Sequence, residues 1–254
     1  MVFKSAFPFS INAASSNISH CTPPTPREAS GPEERATILN AQREILKRKP
    51  QLIRKFEDYC NDKGYKYNTS IGEIYDYCVL EYPFALWQWG TPVSTIPSAD
   101  SSNDAWFAHF IKTSSPDYFS CPNQYLPFFV QAARELGYYG YSTKGLEDVC
   151  DLKNTKGYLN KLMLPKELSN IKFDKSLYKR TVKFLKKKDP THIFIYGEID
   201  PWTASGVAGW LDCSKKENMR IYVQPRGSHT ARIGNMPENT KNEIIGIITN
   251  WLKN

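Results

Sequence analysis

"HIFIYGEIDPWTASG", residues 192–206, is the stretch of sequence that decides the fold. Its apolar run is short and ends at Gly197, which is typical of a buried parallel strand. Asp200 follows three residues later, at the position where open α/β sheets carry functional side chains. The stretch therefore predicts an α/β sheet with an aspartate at its carboxyl edge.

A second strand and a second polar residue come after this stretch. The segment "MRIYVQP", residues 219–225, predicts another strand, and "QPRGSHTARIG" places His229 just behind it. Both side chains are therefore expected at the same edge of the sheet. An acid followed by a histidine, each after a strand, is the second half of the order Ser…Asp…His of α/β-hydrolases. In that arrangement the acid orients the imidazole, which takes the proton of the nucleophile.

The remaining segments near the C-terminus complete an α/β pattern. "TASGVAGWLD", residues 203–212, predicts a short helix, and "PENTKNEIIGIITNWLKN", residues 237–254, predicts a helix that begins at Asn239 or Thr240. The order β-α-β-loop-α is typical of a doubly wound sheet. The buried face of the terminal helix is expected to contain Ile244, Ile247, Ile248, Trp251 and Leu252.

The upstream region is predicted to be almost entirely helical, because its apolar residues recur at helical spacing. Proline and glycine residues mark the expected breaks and ends. We expect helices within residues 33–61 (two helices separated at Pro50), 70–82 (ending at Pro83), 103–113 and 123–137 (capped by Gly137).

Composition excludes several classes of protein. The chain has 254 residues and a formal net charge of +7, but its basic residues form short runs typical of solvated helix faces. No nucleic-acid-binding motif accompanies these runs, so no nucleic-acid partner is expected. No stretch approaches the ~18 apolar residues of a membrane span, and the start lacks the compact apolar core of a signal peptide. Six scattered cysteines without a C-x-x-C pair predict neither a metal nor a cofactor.

Four segments carry a family resemblance. "GEIDPWTASGVAGW" and "GSHTARIGNMPE" resemble the acid and histidine motifs of the secreted bacterial tripeptidyl aminopeptidases, serine peptidases of the α/β-hydrolase clan. "CVLEYPFALWQWG" and "FFVQAARELGYYGY" are similar to the aromatic helical insertion that caps their active site. The resemblance implies that Asp200 is the triad acid and His229 the triad base, with Trp202 and Arg232 in supporting roles. It also implies an extracytoplasmic or secreted enzyme that removes short peptides, typically tripeptides, from a free N-terminus.

With this resemblance, the expected fold class is α/β, the C-terminal portion of an α/β-hydrolase sheet with a large helical cap insertion. The expected domains are an irregular N-terminal segment (1–32), a mainly helical cap domain (33–185) and the C-terminal part of the hydrolase domain (186–254).

The chain departs from the family at the nucleophile. The family carries its serine in a Gly-x-Ser-x-Gly elbow between a strand and a helix, and the sequence contains no such elbow. Ser142 in "GYSTKG" has the wrong spacing, Ser5 in "VFKSAFPF" has no elbow turn, and Ser205 and Ser228 are expected in turns or caps. We therefore expect the C-terminal part of a longer enzyme, inactive alone, with the missing N-terminal portion as its partner.

Two alternatives remain open for the function. One is a noncatalytic peptide- or protein-binding module derived from the hydrolase fold, and the other is an esterase or carboxypeptidase of the same clan. Peptide substrates with a free α-amino group need a carboxylate near the cap, and the candidates are Glu73, Asp76 and Glu81. The substrate cleft or the helical core is expected to contain Trp87, Trp89 and Trp106.

Overall fold

The computed structural model describes residues 31–253, so the predicted irregular segment and Ser5 lie almost wholly outside the described residues. This part of the chain contains two strands, β1 (His192–Gly197) and β2 (Met219–Gln224). Its α-helices are α1 (Pro32–Lys47), α2 (Lys49–Asp62), α3 (Ile71–Trp89), α4 (Asn103–Thr113), α5 (Leu126–Gln131), α6 (Ser176–Lys187) and α7 (Glu238–Lys253). Short 3₁₀ turns occur at Val93–Thr95, Pro116–Phe119, Lys166–Leu168, Pro201–Ser205, Val207–Gly209 and Ile233–Asn235, and π turns at Ala132–Leu136 and Leu159–Met163.

The first two helices confirm the predicted break near Pro50. The chain leaves α1 at Arg48 and enters α2 at once, with Pro50 in the first turn of α2. The first amides of a helix have no partner inside it, so a proline without an N–H group is tolerated there. The proline thus marks the start of the second helix.

The third helix does not end at Pro83 as predicted, since α3 continues through Pro83 to Trp89. A proline inside a helix leaves the carbonyl four residues earlier without its helical donor. Here that carbonyl belongs to Val79, and the buried amide of Gln42 donates to it, with Nε2 2.8 Å from the oxygen. A side chain of α1 therefore satisfies the carbonyl, a long-range contact that local sequence rules do not contain.

The helices pack around α3, which is buried on nearly all sides. Its Tyr75, Tyr77 and Tyr82 each expose 1% or less of their surface. The rings of Phe56 in α2 and Phe110 in α4 each lie 5.1 Å from the ring of Tyr75, centroid to centroid. Such tilted aromatic contacts add to the stabilisation from apolar burial, so the helical region has an aromatic core.

The next two predicted helices are confirmed in different degrees. The helix over residues 103–113 is present as α4, and the hydroxyl of Ser102 accepts a hydrogen bond from the Ala105 amide at its start. The helix over residues 123–137 is shorter than predicted, because α5 starts at Leu126 and widens into a π turn. Gly137 ends this segment with a φ of 75°, a conformation that favours glycine.

Both predicted strands are confirmed. β1 and β2 are parallel neighbours, with His192 opposite Met219 and Gly197 opposite Gln224. The described residues therefore form a mixed α/β structure with many helices and a small parallel sheet. The residues on alternate positions of the strands face two separate apolar clusters, one around Phe194 and the other around Ile195.

The short helix predicted between the strands is wrong, because the chain forms two 3₁₀ turns there. Gly206 joins the two turns with an extended backbone, at a φ of −77° and a ψ of −178°, and it packs so closely against Tyr196 that an added Cβ would lie 2.5 Å from the ring. The hydroxyl oxygen of Tyr196 accepts a hydrogen bond from the Val207 amide at 3.0 Å. That amide is therefore not available to a continuous α-helix.

The terminal helix covers one face of the sheet and starts at Glu238, one residue before the predicted range. Ile244 is fully buried, and Ile247, Ile248 and Trp251 pack against the same cluster. Leu252 was predicted on the buried face, but it is 83% exposed, although the adjacent Trp251 still packs against the cluster, so the prediction is wrong for this residue. None of the helices between residues 31 and 253 combines the length and apolarity that a membrane span requires.

Candidate active site

Asp200 lies in a tight turn directly after β1. The hydroxyl of Thr203 donates to the Gly197 carbonyl at 2.6 Å, and this bond closes the turn. Oδ1 of Asp200 accepts a hydrogen bond from the Trp202 amide at 3.1 Å and caps the following 3₁₀ turn. Asp200 is buried, and the turn fixes one carboxylate oxygen and directs the other towards the neighbouring loop.

His229 lies in the loop after β2. One hydrogen bond from helix α3 and one from within the loop hold its backbone. Its amide donates to the carbonyl of Gln88, in the last turn of α3, at 2.8 Å. Its carbonyl accepts a hydrogen bond from Nη1 of Arg232 at 2.9 Å. The position of the imidazole thus depends on the helical region as well as on the sheet.

The two turns approach each other so closely that the end of β1 requires a glycine. A Cβ added to Gly197 would lie 2.2 Å from the carbonyl oxygen of Ser228 and 2.3 Å from that of Gly227. The Ile199 amide also donates to the Gly227 carbonyl at 3.0 Å. Gly197 therefore allows the loop of His229 to pack against the turn of Asp200.

The structure brings Asp200 and His229 into direct contact. Nδ1 of His229 lies 2.7 Å from Oδ2 of Asp200, and the side chains are 23% and 6% exposed, respectively. An ionised carboxylate only accepts, so Nδ1 carries the proton and donates it. In the neutral imidazole Nε2 is then the acceptor, which is the tautomer that a general base requires.

Asp200 and His229 line a cavity of about 510 Å³ between the sheet and the helical region. The helical side presents Glu81, Ala85 and Gln88, which share one face of α3. The apolar part of the wall is largely aromatic and includes Trp89, Tyr118, Tyr125, Phe128, Phe129, Tyr138 and Trp202. Such an apolar pocket with a few convergent polar groups is the usual form of a ligand site.

Glu81 is the buried carboxyl of this cavity wall. Its Oε2 accepts hydrogen bonds from the hydroxyls of Tyr139 at 2.8 Å and Tyr141 at 2.7 Å. Burial raises the pKa of Glu81 to about 8, although these two hydrogen bonds act in the opposite direction. A carboxyl with a strongly raised pKa that shares a cavity with a candidate catalytic pair is a functional candidate.

The other carboxylates singled out in the sequence have partners elsewhere. Glu73 accepts from Lys161 at 3.0 Å, and Asp76 is buried against Lys49 at 2.7 Å. Neither is among the described residues of the cavity wall. Residues 31–253 contain no group of three or more His, Cys, Asp or Glu side chains that could hold a metal ion.

Three of the four serines named in the sequence lie between residues 31 and 253, and the hydroxyl of each one makes a local contact with a neighbouring residue. Ser142 is exposed, and its hydroxyl accepts from the Lys144 amide. Ser205 donates to the Trp202 carbonyl at 2.9 Å. Ser228 lines the cavity beside His229, but its hydroxyl lies 2.9 Å from that of Thr230.

The tryptophans named in the sequence divide between the cavity and the helical core. Trp202 packs edge-on against Phe84 of α3, with centroids 5.4 Å apart. The exposed Trp89 lies edge-on to His229 at 6.0 Å. Trp87 and Trp106 belong to the helical core instead.

Sequence reasoning did not single out Gln88, Tyr138 and Tyr139. Tyr138 and Tyr139 place their rings 5.7 and 5.5 Å from that of Trp202, and the hydroxyl of Tyr118 contacts both of their hydroxyls. The tyrosines directly after Gly137 are the signal in the sequence for these two residues, because aromatic residues that follow a helix end indicate a loop packed against the core. The Gln88 contact uses only its backbone and leaves no signal in the sequence.

Comparison with known proteins agrees with the resemblance found in the motifs. The profile of the PS-10 peptidase S37 family matches residues 28–253. The chain is similar to the prolyl tri/tetrapeptidyl aminopeptidase of Streptomyces mobaraensis, with 19% identity over 226 residues that cover 85% of this chain and 46% of that protein. The chain thus spans about half the length of the curated relative it matches, and no solved structure matches it significantly. Because the family profile extends over nearly all of its length, the chain belongs to the PS-10 peptidase S37 family of serine peptidases related to the tripeptidyl aminopeptidases.

Proposed function

We propose that Asp200 and His229 are the acid and the general base of a serine-type exopeptidase that removes short peptides, chiefly tripeptides, from free N-termini. The observation that supports this most strongly is the 2.7 Å contact between Nδ1 of His229 and Oδ2 of Asp200 at the mouth of the cavity. The similar Streptomyces protein is a prolyl tri/tetrapeptidyl aminopeptidase, which agrees with this substrate class.

In this function Nε2 of His229 takes the proton of a serine hydroxyl as the oxygen attacks the peptide carbonyl. The same proton then passes to the leaving amine, and water repeats the sequence to release the short peptide. Asp200 holds the imidazole in the required tautomer and stabilises its positive charge. The nearly complete burial of Asp200 strengthens that effect.

We further propose that the nucleophilic serine comes from the N-terminal portion of the enzyme and that residues 31–253 have negligible peptidase activity alone. A nucleophile elbow holds its serine in a strained turn after a strand. Between residues 31 and 253 the one non-glycine residue with a positive φ is Arg226, and β1 and β2 lead to Asp200 and His229. In this proposal the two strands are the last strands of an α/β-hydrolase sheet, and α1 to α5 belong to its cap.

A tripeptidyl chloromethyl ketone with a free N-terminus tests the catalytic pair without a serine. Nε2 of His229 displaces chloride from the reagent, a carbon–nitrogen bond forms, and the modified residue is identified by peptide mapping. We expect alkylation at His229, slowed severalfold in Asp200→Asn, which removes the carboxylate. His109 is the matched control, because its Nε2 already contacts the hydroxyl of Tyr82 at 2.7 Å, and we expect it to stay unmodified.

Each outcome separates the proposals. Equal alkylation of His229 and His109 would contradict the catalytic pair. A fluorophosphonate probe that labels a serine, with cleavage of a tripeptidyl reporter lost in His229→Ala, would contradict only the proposed inactivity. Peptide binding to the aromatic cavity without alkylation of His229 would favour the noncatalytic binding module.

A further inference from the structure

Glu81 has one carboxylate oxygen occupied and one open. Oε2 accepts two tyrosine hydrogen bonds, whereas Oε1 accepts none from residues 31–253 and retains accessible surface. The residue is only 6% exposed, and the surface that it exposes belongs to the cavity of Asp200 and His229. The fixed tyrosines therefore hold a second oxygen ready for a donor that enters the cavity.

No cation within residues 31–253 forms an ion pair with this carboxylate. The nearly buried Asp76, by contrast, is paired with Lys49 at 2.7 Å. The charged groups that share the cavity wall with Glu81 are Lys112, Asp117, Asp200 and His229. A buried carboxylate is costly without a cation, so Glu81 holds its proton more tightly than usual, and an entering cationic group would stabilise its ionised form.

We propose that Glu81 is the positioning residue that binds the α-ammonium group of the peptide, with Oε1 as its acceptor. This inference rests on the proposed exopeptidase function and names the group that makes it act from the N-terminus. A peptide whose N-terminus is blocked has no ammonium to offer Oε1, so the cavity discriminates against internal segments of a longer chain.

The spacing along α3 agrees with a peptide of three residues. Gln88, whose carbonyl holds the His229 amide, comes seven residues after Glu81. Seven residues of α-helix rise about 10 Å. Three extended residues also span about 10 Å. The rise of α3 from Glu81 to the residue that holds the His229 backbone is therefore similar to the length of three extended peptide residues.

Calorimetry with an unblocked tripeptide amide and its N-acetyl form tests the inference without any catalytic step. We expect the wild-type chain to prefer the unblocked form by about thirtyfold or more, and Glu81→Gln to lose this preference. Near pH 6.5 the carboxyl of Glu81 is largely protonated, because its pKa is about 8. Pairing with an ammonium then releases up to one proton, measured in buffers of different ionisation enthalpy, and Glu81→Gln abolishes this release.

Asp117 provides the matched control, since it is the other carboxylate on the helical side of the cavity. Preference and proton release that survive in Asp117→Asn but not in Glu81→Gln support the inference. A preference that survives in Glu81→Gln and disappears in Asp117→Asn overturns the inference and leaves the exopeptidase function intact. Equal binding of both peptides by the wild type, or binding of neither, overturns the inference and the exopeptidase function together.

Discussion

The helical region, α1 to α5 with the turns up to Leu168, and the sheet region, α6 to α7, bury their apolar residues in different ways. The helical region has one continuous cluster of thirty buried residues among those described, whereas the sheet region has clusters of seven and five on the two faces of two strands. The candidate pair nevertheless lies on the thinner region, and its loop is tied to α3 through Gln88. The helical region thus supplies one wall of the cavity, and the sheet region supplies the two candidate catalytic side chains.

The largest expected effect comes from a cavity in the continuous core. Phe110 is fully buried against Phe56 and Tyr75, and its surroundings cannot collapse easily. We expect Phe110→Ala to lower the free energy of unfolding by about 3–5 kcal/mol in urea titrations. The matched change in the sheet region is Phe194→Ala, at a residue that is 4% exposed.

Phe194→Ala is expected at or below the lower end of that range, about 3 kcal/mol, because the small clusters around two strands can relax into the space. A cost for Phe194→Ala equal to or above that for Phe110→Ala would break the comparison. It would show that the sheet region is as tightly packed as the helical one.

The parts of the fold that depend on neighbouring residues could be predicted from the sequence. The short apolar runs at β1 and β2 predict strands, and the residues behind them predict the positions of Asp200 and His229, because parallel strands end at one edge. The contact at 2.7 Å follows from that topology, and Gly197 makes it possible.

The parts that depend on distant contacts could not be predicted in this way. α3 passes Pro83 because Gln42 donates to the Val79 carbonyl from another helix. Glu81 could be named as one of three candidate carboxylates, but only the folded structure shows which of them faces the cavity. Its raised pKa comes from burial by residues that are far away in the sequence.

The second effect concerns how Glu81, in the helical region, makes the free energy of unfolding depend on pH. Burial raises the pKa of Glu81 from 4.5 to about 8, so between these values the folded chain holds more proton than the unfolded chain. The contribution of Glu81 to stability therefore falls as pH rises through this window, by at most about 1.4 kcal/mol per pH unit. We expect Glu81→Gln to be more stable than wild type at pH 8 and to lose this advantage at pH 4.5.

Glu73→Gln is the control with the opposite sign. Hydrogen bonds from Thr69 and Lys161 lower the pKa of Glu73, so its carboxylate stabilises the fold above its ordinary pKa and this contribution is lost as pH falls. Urea titrations at about pH 3, 4.5, 6.5 and 8 measure both variants, because the contribution of Glu73 is lost only below its ordinary pKa of 4.5. If Glu81→Gln shows no gain at pH 8, Glu81 is hydrated and is not buried in the wall of the cavity.

The third effect lies at the contact between the turn of Asp200 and the loop of His229. An added Cβ at Gly197 must displace the Ser228 carbonyl, so we expect Gly197→Ala to cost about 1–3 kcal/mol and to move the His229 loop. Gly209→Ala is the matched control in the sheet region, because nothing lies within 4 Å of its added Cβ. Urea titration gives the cost, and NMR signals of the His229 ring report the loop. Unchanged His229 signals in Gly197→Ala would show that the loop tolerates the displacement, and the pair would be less constrained than the structure indicates.

The smallest expected effect concerns α7, where the burial seen in the structure differs from the burial predicted from the helical spacing of apolar residues. The apolar pattern of α7 assigns Ile244 and Leu252 to one buried face, but Ile244 is fully buried and Leu252 is 83% exposed. Leu252→Ala is therefore expected to change the free energy of unfolding by less than about 0.5 kcal/mol. Ile244→Ala is expected to cost about 2–5 kcal/mol in the same titration. A cost for Leu252→Ala above about 1 kcal/mol would mean that the sheet region buries more of α7 in solution than its two clusters contain. The sheet region and the helical region would then differ less in the apolar surface that they bury.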